Sequence, residues 1–329
     1  MSLRLFLLLV GGLYLSSLCL AQEGRTTSHE AVMSRGCSAN NKADLLALVA
    51  CLLEETTTPE EQLWQLAFWI ADNIAYDVDR QIGAPKSCDD STLKYRRGHC
   101  SDYATLFKDM CTLANLDCYL VEGYAKKWGG RSEQQFEQPD HVWNAVVLAD
   151  TILLFDLTWA AGVVSEGKTF EKAFNPAMIN ADPATFLSTH LPAVPQWQLQ
   201  TTPVPIERFE HFSTTSSLTE GLTEQYNYRD SIIKFRALDQ YDQAIKAGQS
   251  AYQFHPTHAN FRRWLTNTLH QCNLIWEDTP TKEDYQRTIR ICERVHQLAT
   301  SQPDFPQQKH FQERALLGVK YARYMLKSR

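Results

Sequence analysis

Apolar residues recur at helical spacing along the first third of the chain. They do so over residues 42–55 and again after Thr58-Pro59-Glu60-Glu61, which supplies a cap, a first-turn proline and a capping-box glutamate. This second helix is predicted to run through Ile74. A third helical pattern follows Cys100 and extends to Ala114. The sequence therefore predicts a group of helices before residue 115.

The pattern changes after these helices. A strand is predicted near residues 117–126, and two further apolar runs at 141–147 and 152–159 are rich in β-branched and aromatic residues. Because only residues 148–151 separate the two runs, they are predicted to form a β-hairpin. Helices that precede an antiparallel sheet indicate a domain of the α+β class.

The predicted hairpin aligns two polar side chains. With Ala149 and Asp150 at the turn, His141 and Asp156 lie on one face of the ribbon as diagonal neighbours. Diagonal pairs lie roughly 7–8 Å apart at Cα, within reach of long side chains. This arrangement suits a carboxylate that accepts a hydrogen bond from an imidazole and fixes its tautomer.

Cys100 is the candidate nucleophile. Gly98 precedes it, and the cysteine falls in the first turn of its helix, where unpaired backbone N–H groups favour the thiolate. His141 would accept the thiol proton and Asp156 would hold the imidazole. Taken singly, a buried thiol, a surface histidine and a solvated aspartate are the simpler interpretations. The three together favour catalysis.

Other residues are weaker candidates. The backbone N–H of Cys100 is a candidate oxyanion donor, and the indoles of Trp64 and Trp69 are candidates for a second donor, with a core role as the alternative. No cofactor is expected. Zinc is not expected, since Cys100, Cys111 and Cys118 lack the short paired spacing of structural zinc sites. Candidate residues of a substrate cleft are His99, Trp143 and Trp159.

Several segments together carry a resemblance to a known family. They are Gly98-His99-Cys100-Ser101-Asp102-Tyr103-Ala104, His141-Val142-Trp143-Asn144, Asp156-Leu157-Thr158-Trp159 and Phe186-Leu187-Ser188-Thr189-His190-Leu191-Pro192. The chain resembles the transglutaminase-like superfamily of papain-like fold, and most of all its kyphoscoliosis-peptidase and cytokinesis-protein type. The resemblance covers roughly residues 60–212.

The resemblance implies a function. The family's triad corresponds to Cys100, His141 and Asp156, and it implies acyl transfer through a thioester on protein or peptide amides. Water as acceptor gives proteolysis or deamidation, which we expect here, whereas an amine gives a crosslink. His99 occupies a position where the family usually has a small apolar residue. Because the family includes members without demonstrated activity, an inactive scaffold that binds a protein partner is the alternative.

The N-terminus and the composition indicate the compartment. Arg4, the apolar stretch Leu5–Leu20 and Ala21 are typical of a secretory signal peptide over residues 1–21, with an uncleaved anchor as the alternative. The mature protein is expected to be exported to the periplasm or the extracellular space, and to be free of the membrane.

A net charge of −6 does not favour nucleic acid as a partner. With Cys100 as a free nucleophile an even disulfide framework is not expected, although Cys272 and Cys292 are a possible pair.

The predicted organisation has four parts. A signal peptide (1–21) and a flexible linker (22–40) precede a transglutaminase-like domain at 41–212. Residues 213–329 form an α-helical domain with a tetratricopeptide-like pattern of apolar positions. This domain either braces the catalytic domain or binds a protein partner on its helices.

Overall fold

A computed structural model describes residues 36–79, 89–126, 135–165, 169–211, 218–277 and 279–328. The predicted signal peptide, residues 22–35 of the predicted linker and the predicted domain boundary at 213 lie outside the described residues. Within the described ranges, none of the helices combines the length and the apolar character that crossing a bilayer requires.

Four helices come first, and three of them lie in segments that the sequence predicts as helical. They are α1 (Leu45–Leu53), α2 (Pro59–Asn73), α3 (Asp89–Tyr95) and α4 (Cys100–Leu113). The predicted capping box opens α2. Thr58 Oγ1 accepts from the Glu61 N–H at 3.2 Å, and Glu61 Oε2 accepts from the Thr58 N–H at 3.2 Å. Each residue thus satisfies a backbone N–H that the start of the helix leaves unpaired.

The central sheet has three long strands, β3 (Asp117–Ala125), β4 (His141–Leu148) and β5 (Thr151–Phe155), and two short edge strands, β8 (Ile179–Ala181) and β9 (His190–Pro192). Their order in the sheet is β8-β5-β4-β3-β9. Two small sheets accompany it, formed by β1 (Ala75–Tyr76) with β2 (Arg97–Gly98) and by β6 (Gly162–Ser165) with β7 (Thr169–Lys172). The helices and the antiparallel central sheet confirm the predicted α+β class.

The hairpin of β4 and β5 has the predicted register. Leu148 pairs with Thr151 and Asn144 pairs with Phe155, so residues 149 and 150 form the turn. Ala149 adopts a positive φ of 50° there, as primed hairpin turns require. The predicted extension of the second strand to residue 159 was wrong. The strand ends at Phe155 because Asp156 caps a short helix, α5 (Leu157–Ala161).

The chain divides into two compact units. One contains the residues up to Leu120 together with Val142–Asp182, and the other contains Val121–His141 and Pro183–Arg329. Strands β3 and β4 therefore contribute residues to both units. In the first unit α4 packs on the hairpin: the Phe107 and Phe155 rings lie 5.1 Å apart, and the Asn144 side chain donates to the Ala104 carbonyl at 2.9 Å.

The second unit is rich in helices, as predicted for the C-terminal region. After the short helices α6 (Pro183–Phe186) and α7 (Ile206–His211) come five longer ones, α8 (Tyr228–Arg236), α9 (Gln240–Phe254), α10 (His258–Glu277), α11 (Lys282–Thr300) and α12 (Gln308–Lys327). The apolar faces of α9 to α12 share one core, in which the rings of Phe261 and Phe305 lie 5.0 Å apart.

The described cysteines include one disulfide and five free thiols. Cys37 is bonded to Cys51, a pairing that the sequence analysis did not identify. The Sγ atoms of Cys272 and Cys292, the pair that it considered, are adjacent at 3.8 Å but not bonded. The other free cysteines are Cys100, Cys111 and Cys118.

Candidate active site

Cys100 is the first residue of α4, as the sequence predicts. The residue before it, His99, has the extended backbone of a helix cap, and its N–H donates to Asp102 Oδ2 at 2.7 Å. A Cβ atom at Gly98 would lie 2.7 Å from Cβ of Asp102, so the chain enters this helix where only glycine fits. The Cys100 side chain is half-buried and its thiol is free. It is therefore not enclosed in the core.

The neighbouring His99 has partners of its own. Its ring stacks on Tyr76 with centroids 5.2 Å apart, and its Nε2 lies 2.9 Å from the Asp77 carbonyl oxygen. Because a carbonyl only accepts, this nitrogen carries the proton. These contacts fix the segment that leads into α4. The role of His99 in a substrate cleft stays a prediction.

Asp156 is held rigidly at the end of β5. The residue is fully buried, and its Oδ1 accepts from the Thr158 N–H at 2.9 Å and from the Trp159 N–H at 3.1 Å. Two backbone donors at the start of α5 stabilise the carboxylate and fix its orientation. Buried charges require such partners, so this aspartate is not the solvated residue of the simpler interpretation.

Asp156 and His141 belong to one cluster of polar side chains. One nitrogen of His141, one carboxylate oxygen of Asp156 and one nitrogen of His190 all lie within 4.8 Å of one another. Two imidazoles and a carboxylate are also a set of ligands that Zn²⁺ accepts. The cluster brings together two members of the predicted triad, and a third residue that the sequence analysis did not assign to the site.

His190 occupies the first position of β9 and is fully buried. Its ring stacks on Phe186 with centroids 4.0 Å apart, and its Nδ1 lies 2.8 Å from Thr189 Oγ1. The ring centroids of His141 and His190 are 5.6 Å apart. The segment 186–192 contributed to the family resemblance, which is the one sequence signal that could have identified this histidine.

The first turn of α4 is linked to the same region through Tyr103. Its hydroxyl donates to the Ile74 carbonyl at 2.7 Å. Burial raises the pKa of Tyr103 far above its usual value, and the negative charge of Asp156 adds to that increase. The charge of Asp156 thus acts on a residue that lies three positions after Cys100.

The four candidate tryptophans are buried or half-buried in the fold. Trp69 is buried and its indole N–H donates to the Cys37 carbonyl at 3.0 Å, which is the core role that the sequence analysis gave as its alternative. Trp64 is half-buried with its ring 5.2 Å from that of Phe68. Trp143 is buried within β4, and Trp159 is half-buried in α5. Their predicted roles as oxyanion donors or cleft residues stay predictions.

The region that holds these residues has a family match. Residues 47–159 match the model of the transglutaminase-like superfamily. The chain therefore contains a transglutaminase-like domain, and the matched range includes Cys100, His141 and Asp156.

Named relatives agree with this assignment. Human kyphoscoliosis peptidase is 35% identical over 178 residues, which cover 52% of this chain and 26% of the human protein. Hillarin of Drosophila melanogaster is 26% identical over 188 residues, which cover 52% of this chain and 22% of hillarin. The chain thus spans about a quarter of the length of the curated relatives it matches.

Solved structures also include a similar chain. It is a protein from Cytophaga hutchinsonii that was provisionally named a cysteine protease. The two sequences are 20% identical, and the superposition has a TM-score of 0.28 and covers 37% of this chain and 39% of that one. A likeness of this extent supports no conclusion about function.

Proposed function

We propose that this chain is a cysteine enzyme that transfers acyl groups from protein or peptide amides through a thioester, with water as the usual acceptor. Cys100 is the nucleophile, His141 the general acid and base, and Asp156 the residue that orients the imidazole. The observation that carries the proposal is the approach of His141 and Asp156 to within 4.8 Å inside a transglutaminase-like match that also contains a half-buried free thiol.

Each residue has one chemical task. The Cys100 sulfur attacks the amide carbonyl carbon while His141 accepts the thiol proton, and the carbonyl oxygen becomes an oxyanion. The N–H of Cys100 starts a helix, where amides have no partner in the preceding turn, so it is the proposed oxyanion donor. His141 then returns the proton to the departing nitrogen as the C–N bond breaks and the thioester forms.

The second half of the cycle restores the enzyme. A water molecule attacks the thioester carbonyl, His141 accepts a proton from the water, and the C–S bond breaks to release a carboxylic acid and Cys100. A primary amine in place of water would give a crosslinked product by the same steps. We propose water because the sequence offers no separate feature for an amine acceptor.

Purified full-length protein tests the proposal. One assay measures hydrolysis of peptide and glutamine amides, and a parallel assay measures incorporation of a labelled primary amine into a glutamine-containing protein. We expect hydrolysis by the wild type and its loss in Cys100→Ala and His141→Ala. Cys118→Ala is the matched control, because it removes a free thiol that has no task in this mechanism. Turnover that persists in Cys100→Ala would disprove the proposal.

We also propose that the protein is exported. The support is the apolar N-terminal stretch and the Cys37–Cys51 disulfide, since structural disulfides form and persist mainly in oxidising compartments. N-terminal sequencing of protein recovered from the extracytoplasmic fraction is expected to begin at Gln22. Recovery of only the uncleaved chain in the cytoplasm would contradict export without affecting the proposed chemistry.

A further inference from the structure

We propose that Cys272 and Cys292 form a reversible dithiol–disulfide couple, and that a small peroxide oxidises this pair through the cavity beside it. Cys272 belongs to α10 and Cys292 to α11. Their Sγ atoms are 3.8 Å apart, in contact but without a bond. A disulfide needs an S–S distance of about 2.05 Å, so each sulfur has about an ångström to move. Neither thiol takes part in the proposed acyl transfer.

A cavity gives these thiols access to a small reagent. Both cysteines are buried, with exposed fractions of 2% and 1%, and buried cysteines are ordinarily inert. Both also line a cavity of about 290 Å³ whose other walls include Trp276, Arg314 and Tyr321. Tyr321 is 44% exposed and lies at its rim. A peroxide, scarcely larger than water, fits this space.

The two thiols are chemically unequal. The hydrogen bond between the two thiols lowers the pKa of Cys292, whereas the same bond together with burial raises the pKa of Cys272. Cys292 is therefore the attacking thiolate. It attacks one peroxide oxygen, the O–O bond breaks, and the protein gains a sulfenic acid while the other oxygen leaves as hydroxide. Cys272 then attacks the sulfenic sulfur, and the S–S bond forms as water departs.

The packing of α12 favours the disulfide over a bulky adduct. A Cβ atom at Gly318 would lie 2.6 Å from Cys292 Sγ, so the backbone of this helix passes directly over the sulfur. That side of Cys292 has no space for a large thiol. The Cys272 sulfur, already in contact, is the partner that needs the smallest movement.

Peroxide treatment of the folded full-length protein tests the proposal. Free thiols are then blocked with N-ethylmaleimide, and the protein is digested without reduction for mass spectrometry. We expect a Cys272–Cys292 crosslinked peptide that has lost two hydrogens and that dithiothreitol converts back to thiols. Oxidised glutathione, a bulky reagent, is expected to react at least ~10-fold more slowly than the peroxide.

The chain provides a matched control and two informative variants. Cys111 and Cys118 are also buried and share a thiol hydrogen bond, and we expect their oxidation to be at least ~10-fold slower. In Cys272→Ser, dimedone is expected to trap a sulfenic acid on Cys292. In Cys292→Ser, Cys272 is expected to remain a thiol. A disulfide that is absent, that forms only in denaturant, or that forms no faster than one between Cys111 and Cys118 would overturn the proposal.

Discussion

Asp102 Oδ2 accepts a hydrogen bond of 2.7 Å from the backbone N–H of His99, the residue directly before Cys100. The carboxylate reaches back from the first turn of α4 to its cap, as in a capping box. It also lies beside Gly98, whose missing side chain makes the close approach possible. The position of the candidate nucleophile thus depends on a contact of its own helix.

Asp102→Ala tests this contact. The substitution leaves the His99 N–H without its acceptor, so the free energy of unfolding is expected to fall by about 1 kcal/mol. The less ordered helix start is also expected to slow alkylation of Cys100. Urea denaturation and the alkylation rate measure the two effects. Asp102→Asn is the control, because it keeps an oxygen acceptor. Identical stability and reactivity of Asp102→Ala and wild type would contradict the role given to this contact.

Asp156 has two separable tasks, which two substitutions distinguish. Asp156→Asn keeps an oxygen that can accept from Thr158 and Trp159, so we expect a folded protein whose turnover falls by ~10²–10⁴-fold for lack of the charge beside His141. Asp156→Ala also removes the cap of α5, with an expected cost of about 1–3 kcal/mol in unfolding free energy. Full turnover in folded Asp156→Asn would exclude this aspartate from the mechanism.

The Cys37–Cys51 bond is predicted to stabilise the first unit. The cysteines are 14 residues apart, and closing a loop of this length is worth about 3 kcal/mol by the chain-entropy estimate. We therefore expect dithiothreitol to lower the urea midpoint of the wild type. The double variant Cys37→Ser/Cys51→Ser is expected to have the low midpoint with or without the reductant. A wild type insensitive to reductant would contradict the prediction.

The second unit contains an acid-sensitive ion pair. Hydrogen bonds from Arg287, at 2.7 and 2.8 Å, lower the pKa of Asp239 from 3.8 to about 2. Because the folded pKa lies below the unfolded value, the pair stabilises the fold above about pH 4, and this contribution is lost as the pH falls toward 2. The Asp239 side chain is half exposed, so solvent screening keeps the contribution below about 1 kcal/mol.

Asp239→Asn isolates this effect. Asparagine can still accept from the N–H groups of Tyr241 and Asp242, which Asp239 caps at the start of α9. Unfolding free energies measured from pH 5 to pH 2 are expected to differ between wild type and variant at the upper end and to converge at the lower end. A difference that stays constant across this range would contradict the role given to the charge of Asp239.

Features that depend on neighbouring residues in sequence were predictable. The Thr58–Glu61 capping box, the start of α4 at Cys100 and the turn at residues 149–150 each follow from a short segment whose own chemistry determines its conformation. The end of β5 was missed for a local reason as well. The apolar neighbours of Asp156 predict that it belongs to a strand. Its side chain instead accepts hydrogen bonds from the N–H groups of Thr158 and Trp159, and a helix begins there.

Features that depend on tertiary contacts were not predictable from the pattern. The pairing of Cys37 with Cys51 depends on how the segment before α1 folds back on that helix, and spacing alone leaves many pairings open. His190 is distant in sequence from both His141 and Asp156. Only the sheet and the stacking on Phe186 bring its ring to them.

The most direct test of the central claim is the rate at which iodoacetamide alkylates Cys100 at pH 6, followed by peptide mass spectrometry in wild type and His141→Ala. Only a thiolate reacts at an appreciable rate, so an imidazole that accepts the thiol proton accelerates alkylation under mildly acidic conditions. A catalytic pair predicts that wild-type Cys100 reacts at least ~10-fold faster than Cys100 of the variant. Equal rates in the two folded proteins would contradict the claim that sulfur and imidazole act together.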